Sequence, residues 1–289
     1  STFQVKGGAM YDVDDNVSIY VNSGYVEKPP IMDNVIYYDG TVASDPINES
    51  FISSEAGVNF ESEKFAVKVS AYNTDWKDRN LTKAVTTGQG DSGDTDVIFL
   101  KGIGQKHQGL EIEGSMKLND MIRLDGAVSF GKWKFDGDAD GLYTEYDEEA
   151  PIQTSYTYTL DGLFVGDQPQ TAYVLGTTLT PMAGLRIQGI FKMYDKNYAD
   201  WSPDSRELSG DADRSQVWQA PAYNRLDLHA AYKLPKIAGY NMTVTGHLFN
   251  ALDAVYVQDA VDNSQYNGFG DKLHLAHNAE VFLGTPRYF

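Results

Sequence analysis

Residues 107–135 read HQGLEIEGSMKLNDMIRLDGAVSFGKWKF, and the side-chain alternation in this stretch decides the fold. In an extended chain successive side chains point to opposite faces. Leu110, Ile112, Met116 and Leu118 therefore share one face of the first half, and Glu111, Glu113, Ser115 and Lys117 share the other. Past Asn119 and Asp120 the pattern resumes, with Ile122, Leu124, Val128 and Phe130 opposed to Arg123, Asp125, Ala127 and Ser129. Two period-two runs joined by so short a link predict a β-hairpin. Its apolar face must meet oil, either a protein core or a lipid bilayer.

Similar pairs recur on both sides of this one. The sequence predicts strands at 2–12 and 17–26, 51–62 and 65–79, 107–118 and 121–135, 171–180 and 185–201, and 223–234 and 242–258. Within each pair the link is short (DVDDN, ESEK, ND, PMAG, PKIAGYN), and between pairs it is long. A soluble sandwich has the same water at both ends and no reason to alternate its link lengths. A transmembrane β-barrel has tight turns at one end and long loops at the other. The expected fold is therefore all-β, a transmembrane antiparallel β-barrel whose apolar face meets lipid. Gln188, Lys192, Arg225, Asp227 and His229 would then face a wet lumen, since a dry core does not tolerate them unpaired. Tyr25, Tyr72, Trp76, Trp133, Tyr194, Tyr198, Trp201 and Tyr256 lie near the long-loop ends of strands. They are expected to form an interfacial girdle, with ordinary packing at strand ends as the alternative.

Composition narrows the function. A chain of 289 residues fits one large all-β unit or two ordinary domains. The absence of Cys excludes a disulfide framework and thiolate chemistry. A formal net charge of −18 without a basic cluster argues against nucleic acid as a partner. No apolar run is long enough for a transmembrane helix. The opening STFQVKGGAMYDV lacks the basic start and apolar segment of a signal peptide and reads as the inside of a strand. The chain is accordingly expected to begin mid-protein.

Five stretches resemble the TonB-dependent outer-membrane receptors, specifically the C-terminal half of their barrel. NSGYVEKPPIMDNV (22–35) is similar to a strand that ends in Gly-Tyr and enters a Pro-containing loop, and AYNTDWKDRNLTK (71–83) to a Y-x-T-x-W-K-D-R strand end. HQGLEIEG (107–114), LFNALDAVYVQDA (248–260) and GTPRYF (284–289) resemble the Gly-(Val/Leu)-Glu strand, the penultimate strand and the start of the last strand. The resemblance implies a barrel of about 22 strands around a plug, of which this chain supplies ten and the beginning of an eleventh at Pro286–Phe289. The plug and the N-terminal strands are expected outside this chain. It further implies a Gram-negative outer membrane with the long loops extracellular, and TonB-derived energy delivered through the plug. The implied function is import of a scarce small-molecule ligand, with a ferric siderophore or similar metal chelate favoured. Lipid and lipopolysaccharide, and a surface lipoprotein or other outer-membrane subunits, complete the expected partners. The alternative is a receptor-like barrel serving as a structural scaffold in an outer-membrane complex.

The sharpest local motif is FDGDADGLYTEYDEE (135–149). Asp136, Asp138 and Asp140 followed by Gly141 reproduce the D-x-D-x-D-G opening of a calcium loop, with the Leu142 carbonyl and Asp147 at the seventh and twelfth positions. Ca2+ is the expected ion, against the alternative of a solvated acidic loop. The clusters at 91–96 and 209–215 are expected as solvent-facing turns. His274 and His277 in HLAH could pair on a metal, although an ordinary hydrogen-bonding role competes. No HExxH, GxSxG, P-loop or dinucleotide fingerprint occurs, so no enzyme is expected. Tyr37, Tyr38, Trp201 and Trp218 are the candidate ligand contacts, because flat amphipathic rings suit chelates and sugars, with loop self-packing as the alternative.

Overall fold

The computed structural model describes residues 2–30, 32, 35–36, 42, 46–87, 94–146, 151–207, 213–236, 239–264 and 273–289. Ten strands form one continuous antiparallel sheet: β1 (Gln4–Asp12), β2 (Val17–Lys28), β3 (Glu49–Glu61), β4 (Phe65–Thr87), β5 (Asp94–Lys117), β6 (Ile122–Phe135), β9 (Thr171–Met182), β10 (Leu185–Asp195), β13 (Tyr223–Lys233) and β14 (Thr243–Leu248). These are the ten strands that the alternation predicts, in sequence order. Among the described residues β1 and β14 end the sheet and do not pair with each other. Beside β14, Phe249 and Tyr288 form an isolated bridge, which places the expected eleventh strand.

Turn chemistry explains the short end. Asp14 accepts the amides of Asn16 and Val17 at 2.8 and 2.9 Å, and Asn119 accepts those of Met121 and Ile122 at the same two distances. Each short polar side chain thereby replaces a backbone turn bond. Gly184, at φ 83°, closes the β9–β10 turn in a conformation that a Cβ disfavours.

Register separates the two faces. Ile19, Val58, Val69, Ile112, Val128, Tyr173 and Met193 are successive cross-strand partners in one apolar row over seven strands. The offset row reads Asn59, Lys68, Glu113, Ala127, Val174, Lys192 and Arg225. Ile52 and Leu175 on the apolar face are 50% and 55% exposed, far more than water would allow over a whole sheet.

Three boundaries differ from the expectation. The connection after Arg79 is no long loop, because β4 and β5 continue as a paired ribbon through Thr87 and from Asp94. Strand β10 stops at Asp195, where Lys196 takes φ 54°, and β14 stops at Leu248, where Asn250 takes φ 47°. Asn250 stabilises that bend by donating to the carbonyls of Ala254 and Thr285. Periodicity continues through such residues, whereas the backbone turns at them.

At the long-loop end the hairpin β7 (Ala139–Tyr146) and β8 (Pro151–Tyr158) pairs onto the extension of β5. Two small sheets, β11 (Asn197–Tyr198) with β12 (Gln219–Ala220) and β15 (Val257–Val261) with β16 (Glu280–Leu283), pack nearby. The buried hydrophobic core lies here, built from Ile98, Leu100, Ile103, Tyr158, Leu160 and Trp201 among others.

The expected girdle is largely corrected. Of its eight aromatics only Tyr25, partnered with Val5 and Ile52, stands on the apolar face. Tyr72, Trp76, Trp133 and Tyr194 stand on the polar face by register, Tyr256 stacks there on Tyr223, and Tyr198 and Trp201 are buried in the loop core. Their strand-end position suggested the girdle, but alternation sets Trp133 with Arg123 and Asp125, and Tyr194 with Lys192, on the polar face. The apolar face carries other aromatic pairs, Phe60 with Phe65 and Phe130 with Tyr173.

Candidate functional site

The polar face of β3–β6 ends in an aromatic and cationic cluster. Phe51, Trp76, Gln105 and Phe135 are partners in one row, and Ser53, Thr74, His107 and Trp133 form the row beneath. The β4–β5 ladder is irregular between Trp76 and Arg79, and Asp78 there takes φ 55°. Such a bulge re-aims a side chain, and Arg79 lies over the Trp76 ring at 4.5 Å. His107 stacks on Trp133 at 5.3 Å, and Trp133 Nε1 donates to the Tyr72 hydroxyl at 2.9 Å. Tyr72 in turn lies on Gly109, where any Cβ would collide with its ring. Two buried donors, Trp76 Nε1 and Gln105 Nε2, have no partner among the described residues. A cation, flat rings and unused donors together suit an anionic aromatic or chelating group.

Farther round the same face Lys192 donates to Asp227 at 2.9 Å, and the Asn250 amide donates to the other carboxylate oxygen at 2.9 Å. Arg225 bonds the Tyr256 hydroxyl at 3.0 Å. Asp227 is 1% exposed, so this charge is held by partners rather than by water.

A family model described as "TonB dependent receptor-like, beta-barrel" matches residues 1–251. The chain belongs to that family. Its fold agrees with solved receptors. The ferric enterobactin receptor PfeA of Pseudomonas aeruginosa, in a mutant form, is 14% identical with a TM-score of 0.61, over 98% of this chain and 38% of that one. The ferric-catecholate import receptor Fiu of E. coli K12 is 15% identical with a TM-score of 0.58, over 98% and 33%. BauA, the ferric preacinetobactin receptor of Acinetobacter baumannii, is 17% identical with a TM-score of 0.56, over 98% and 34%. The chain thus spans about a third of the length of these receptors. No curated protein sequence matches it. The family is one of receptors and transporters of the Gram-negative outer membrane. In this receptor barrel the apolar face is the lipid face and the polar face is the lumen wall.

Of the predicted contacts, Tyr37 and Tyr38 lie outside the described residues. Trp201 is 1% exposed, packs against Tyr158 at 5.5 Å and has Lys83 over its ring, so it belongs to the loop core. Trp218 is half-buried and donates its backbone amide to Asp262 at 3.1 Å. The structure does not bring these tryptophans into the Trp76–Trp133 cluster. Sequence reasoning missed that cluster as a site; the W-K-D-R run at 76–79 was its visible trace.

The acidic motif runs from the turn after β6 into β7. Asp138 accepts a fork from Arg214 at 3.0 and 2.8 Å and the amides of Leu160 and Asp161 at 3.0 Å. The Arg214 bond holds the Asp138 carboxyl below its ordinary range, with burial acting against it. Asp140 accepts from Thr157 at 3.0 Å, Leu142 sits between Phe99 and Ser155 in the ladder, and Asp136 is exposed. Asp147 lies outside the described residues. Among the described residues no group of three or more His, Asp or Glu side chains is arranged to hold a metal ion.

The 209–215 segment is more than a solvent-facing turn where it is described. Asp213 takes a bond from His274 Nε2, Asp262 takes one from His274 Nδ1, and Arg206 donates to Asp262 at 3.4 Å and to the Ser215 carbonyl at 2.7 Å. Burial works against a charged His274, but its bonds to Asp262 and Asp213 outweigh it and raise the pKa. Burial likewise opposes charge on Asp213, yet His274 and Ser215 lower its pKa to about 2. His277 is exposed and takes no part in this network, so His274 is a structural tie between loops.

Proposed function

We propose that this chain is the C-terminal part of the barrel of an outer-membrane active transporter that captures a ferric siderophore or similar metal chelate and imports it. The observation that carries this reading is the lumen-facing cluster of Arg79, Trp76, Gln105, His107 and Trp133, placed where the wall meets the long loops. The long loops are extracellular in this reading. The open edges, at β1 and beyond the eleventh strand beside β14, are closed by the remaining strands of the same receptor, because unpaired strand edges are not stable in lipid. Transport energy comes from TonB through the plug. The relatives in the fold comparison named as ferric-chelate receptors support the ligand class without fixing it.

Uptake of iron-55 chelates by cells producing the full receptor tests this directly. Deletion should abolish uptake of at least one chelate, and Arg79→Ala with Trp76→Ala should lower it at least about tenfold, the effect of losing roughly 1.4 kcal/mol of contact. A deletion strain that loses growth on no iron source would instead favour the scaffold.

A further inference from the structure

One feature of the lumen wall lies apart from the Trp76–Trp133 cluster. Strands β13 and β14 place His229 directly opposite His247, below the Lys192–Asp227–Arg225 group. Parity puts both rings on the lumen side, since His229 alternates with Leu228 and Ala230 and shares its face with Arg225 and Asp227. Their Nδ1 atoms lie 2.9 Å apart, with ring centroids at 5.1 Å and planes at 62°. Phe249 packs on both rings, at 5.5 and 6.0 Å, and holds their orientation. His229 is half-buried and His247 is open to the lumen. On the far side of His229 its row partner is Gln188.

The spacing of the two nitrogens fits one metal ion. Imidazole nitrogens bind a first-row metal at about 2.0–2.1 Å, so two ligands about 90–109° apart on the ion sit roughly 2.9–3.4 Å from each other. The observed 2.9 Å lies in that range before any rearrangement. In the free pair one ring donates its Nδ1–H to the other. Shifting that proton to Nε2 of its own ring frees both Nδ1 lone pairs, with no proton lost from the pair. Two imidazoles fill two coordination positions and leave the others for solvent. Such nitrogen ligation favours Cu2+, then Ni2+ and Zn2+.

We propose that His229 and His247 form a binding site for a divalent transition-metal ion of the Cu2+, Ni2+ and Zn2+ class in the wall of the lumen. The site depends on the barrel and its register and is independent of the ligand captured at the loop end. It gives the wall a fixed, metal-selective station between the mouth and the turn end.

The test uses the full-length receptor, purified from outer membranes in detergent and stripped with chelator, then titrated with Cu2+. Electron paramagnetic resonance should report one bound equivalent with coupling to two nitrogens. His229→Ala and His247→Ala should each remove that coupling and weaken binding at least about tenfold, while His277→Ala should change neither. His247→Asn, which keeps a polar side chain on the wall, guards against a folding defect and should behave like His247→Ala. A wild-type receptor that binds no Cu2+, or a double variant that binds it with the wild-type spectrum, would overturn the proposal.

Discussion

Asp262→Asn should unlock the loop network without touching the barrel. Asp262 and Arg206 both have 0% side-chain exposure, and Asp262 also serves His274 and the Trp218 amide. The substitution keeps the volume but removes the one carboxylate that Arg206 contacts among the described residues, leaving a buried guanidinium without its ion-pair partner. Breaking such a pair costs about 3–5 kcal/mol. The low end is expected, because the amide oxygen still accepts one bond. A loss of about 3 kcal/mol in local opening free energy speeds amide exchange roughly 150-fold. The amides to follow are those of Ala199, Asp200 and Asp262, which bond to Trp218, Ala260 and Asp200 across the network. The sign with pH is also fixed. The raised pKa of His274 gives a contribution complete below its ordinary 6.5 and lost as pH rises through the higher folded value. The lowered pKa of Asp213 gives one complete above its ordinary 3.8 and lost as pH falls through about 2. Protection in the wild type should therefore be greatest between these limits, and Asp262→Asn should move the alkaline loss to lower pH. Exchange in the variant within about threefold of wild type would refute the argument that this network locks the loops.

Four further outcomes follow from the same structure. Gly57→Val should weaken the wall, because a Cβ at Gly57 would stand 2.5 Å from the Tyr20 ring and displace its bond to Glu55; a strain cost of about 1–3 kcal/mol should lower the temperature at which the folded band is lost on a detergent gel. Lys192→Met takes the nearer of two cations from the buried Asp227, leaving Arg225 at 3.6 Å, and should reduce folded receptor in the membrane, whereas Lys192→Met with Asp227→Leu should restore part of it. Arg214→Ala should return the Asp138 carboxyl toward its ordinary pKa; the present depression stabilises above pH 3.8 and is lost as pH falls through the folded value, so this acid dependence of loop protection should shrink in the variant. Calcium at 136–147 predicts calcium-dependent protease protection that Asp136→Asn with Asp138→Asn abolishes; protection unchanged in that variant disposes of the ion.

Much of the barrel was legible because its physics is local. The alternation at 107–135 depends only on which side chains tolerate lipid, and the turns at Asp14 and Asn119 on bonds to amides two and three residues away. Strand ends were less legible. Lys196 and Asn250 break the backbone where the hydropathy pattern continues, and Arg79 is followed by a ribbon that sequence reads as loop.

The sequence by itself determined the ten strands and the sign of each face, because period-two patterning and link length are properties of neighbouring residues; the family was legible only as a resemblance of five short stretches. Only the tertiary structure decided that Tyr198 and Trp201 enter the loop core and that Tyr256 folds back onto Tyr223, since the backbone breaks at Lys196 and Asn250 where the alternation would run on. It also decided that Trp76 meets Gln105 and Arg79, that His229 meets His247, and that Asp213 and Asp262 close on His274. Each of those groups, the local Trp76–Arg79 contact apart, joins residues on different strands or loops. Their chemistry exists only where the sheet and its loops bring them together.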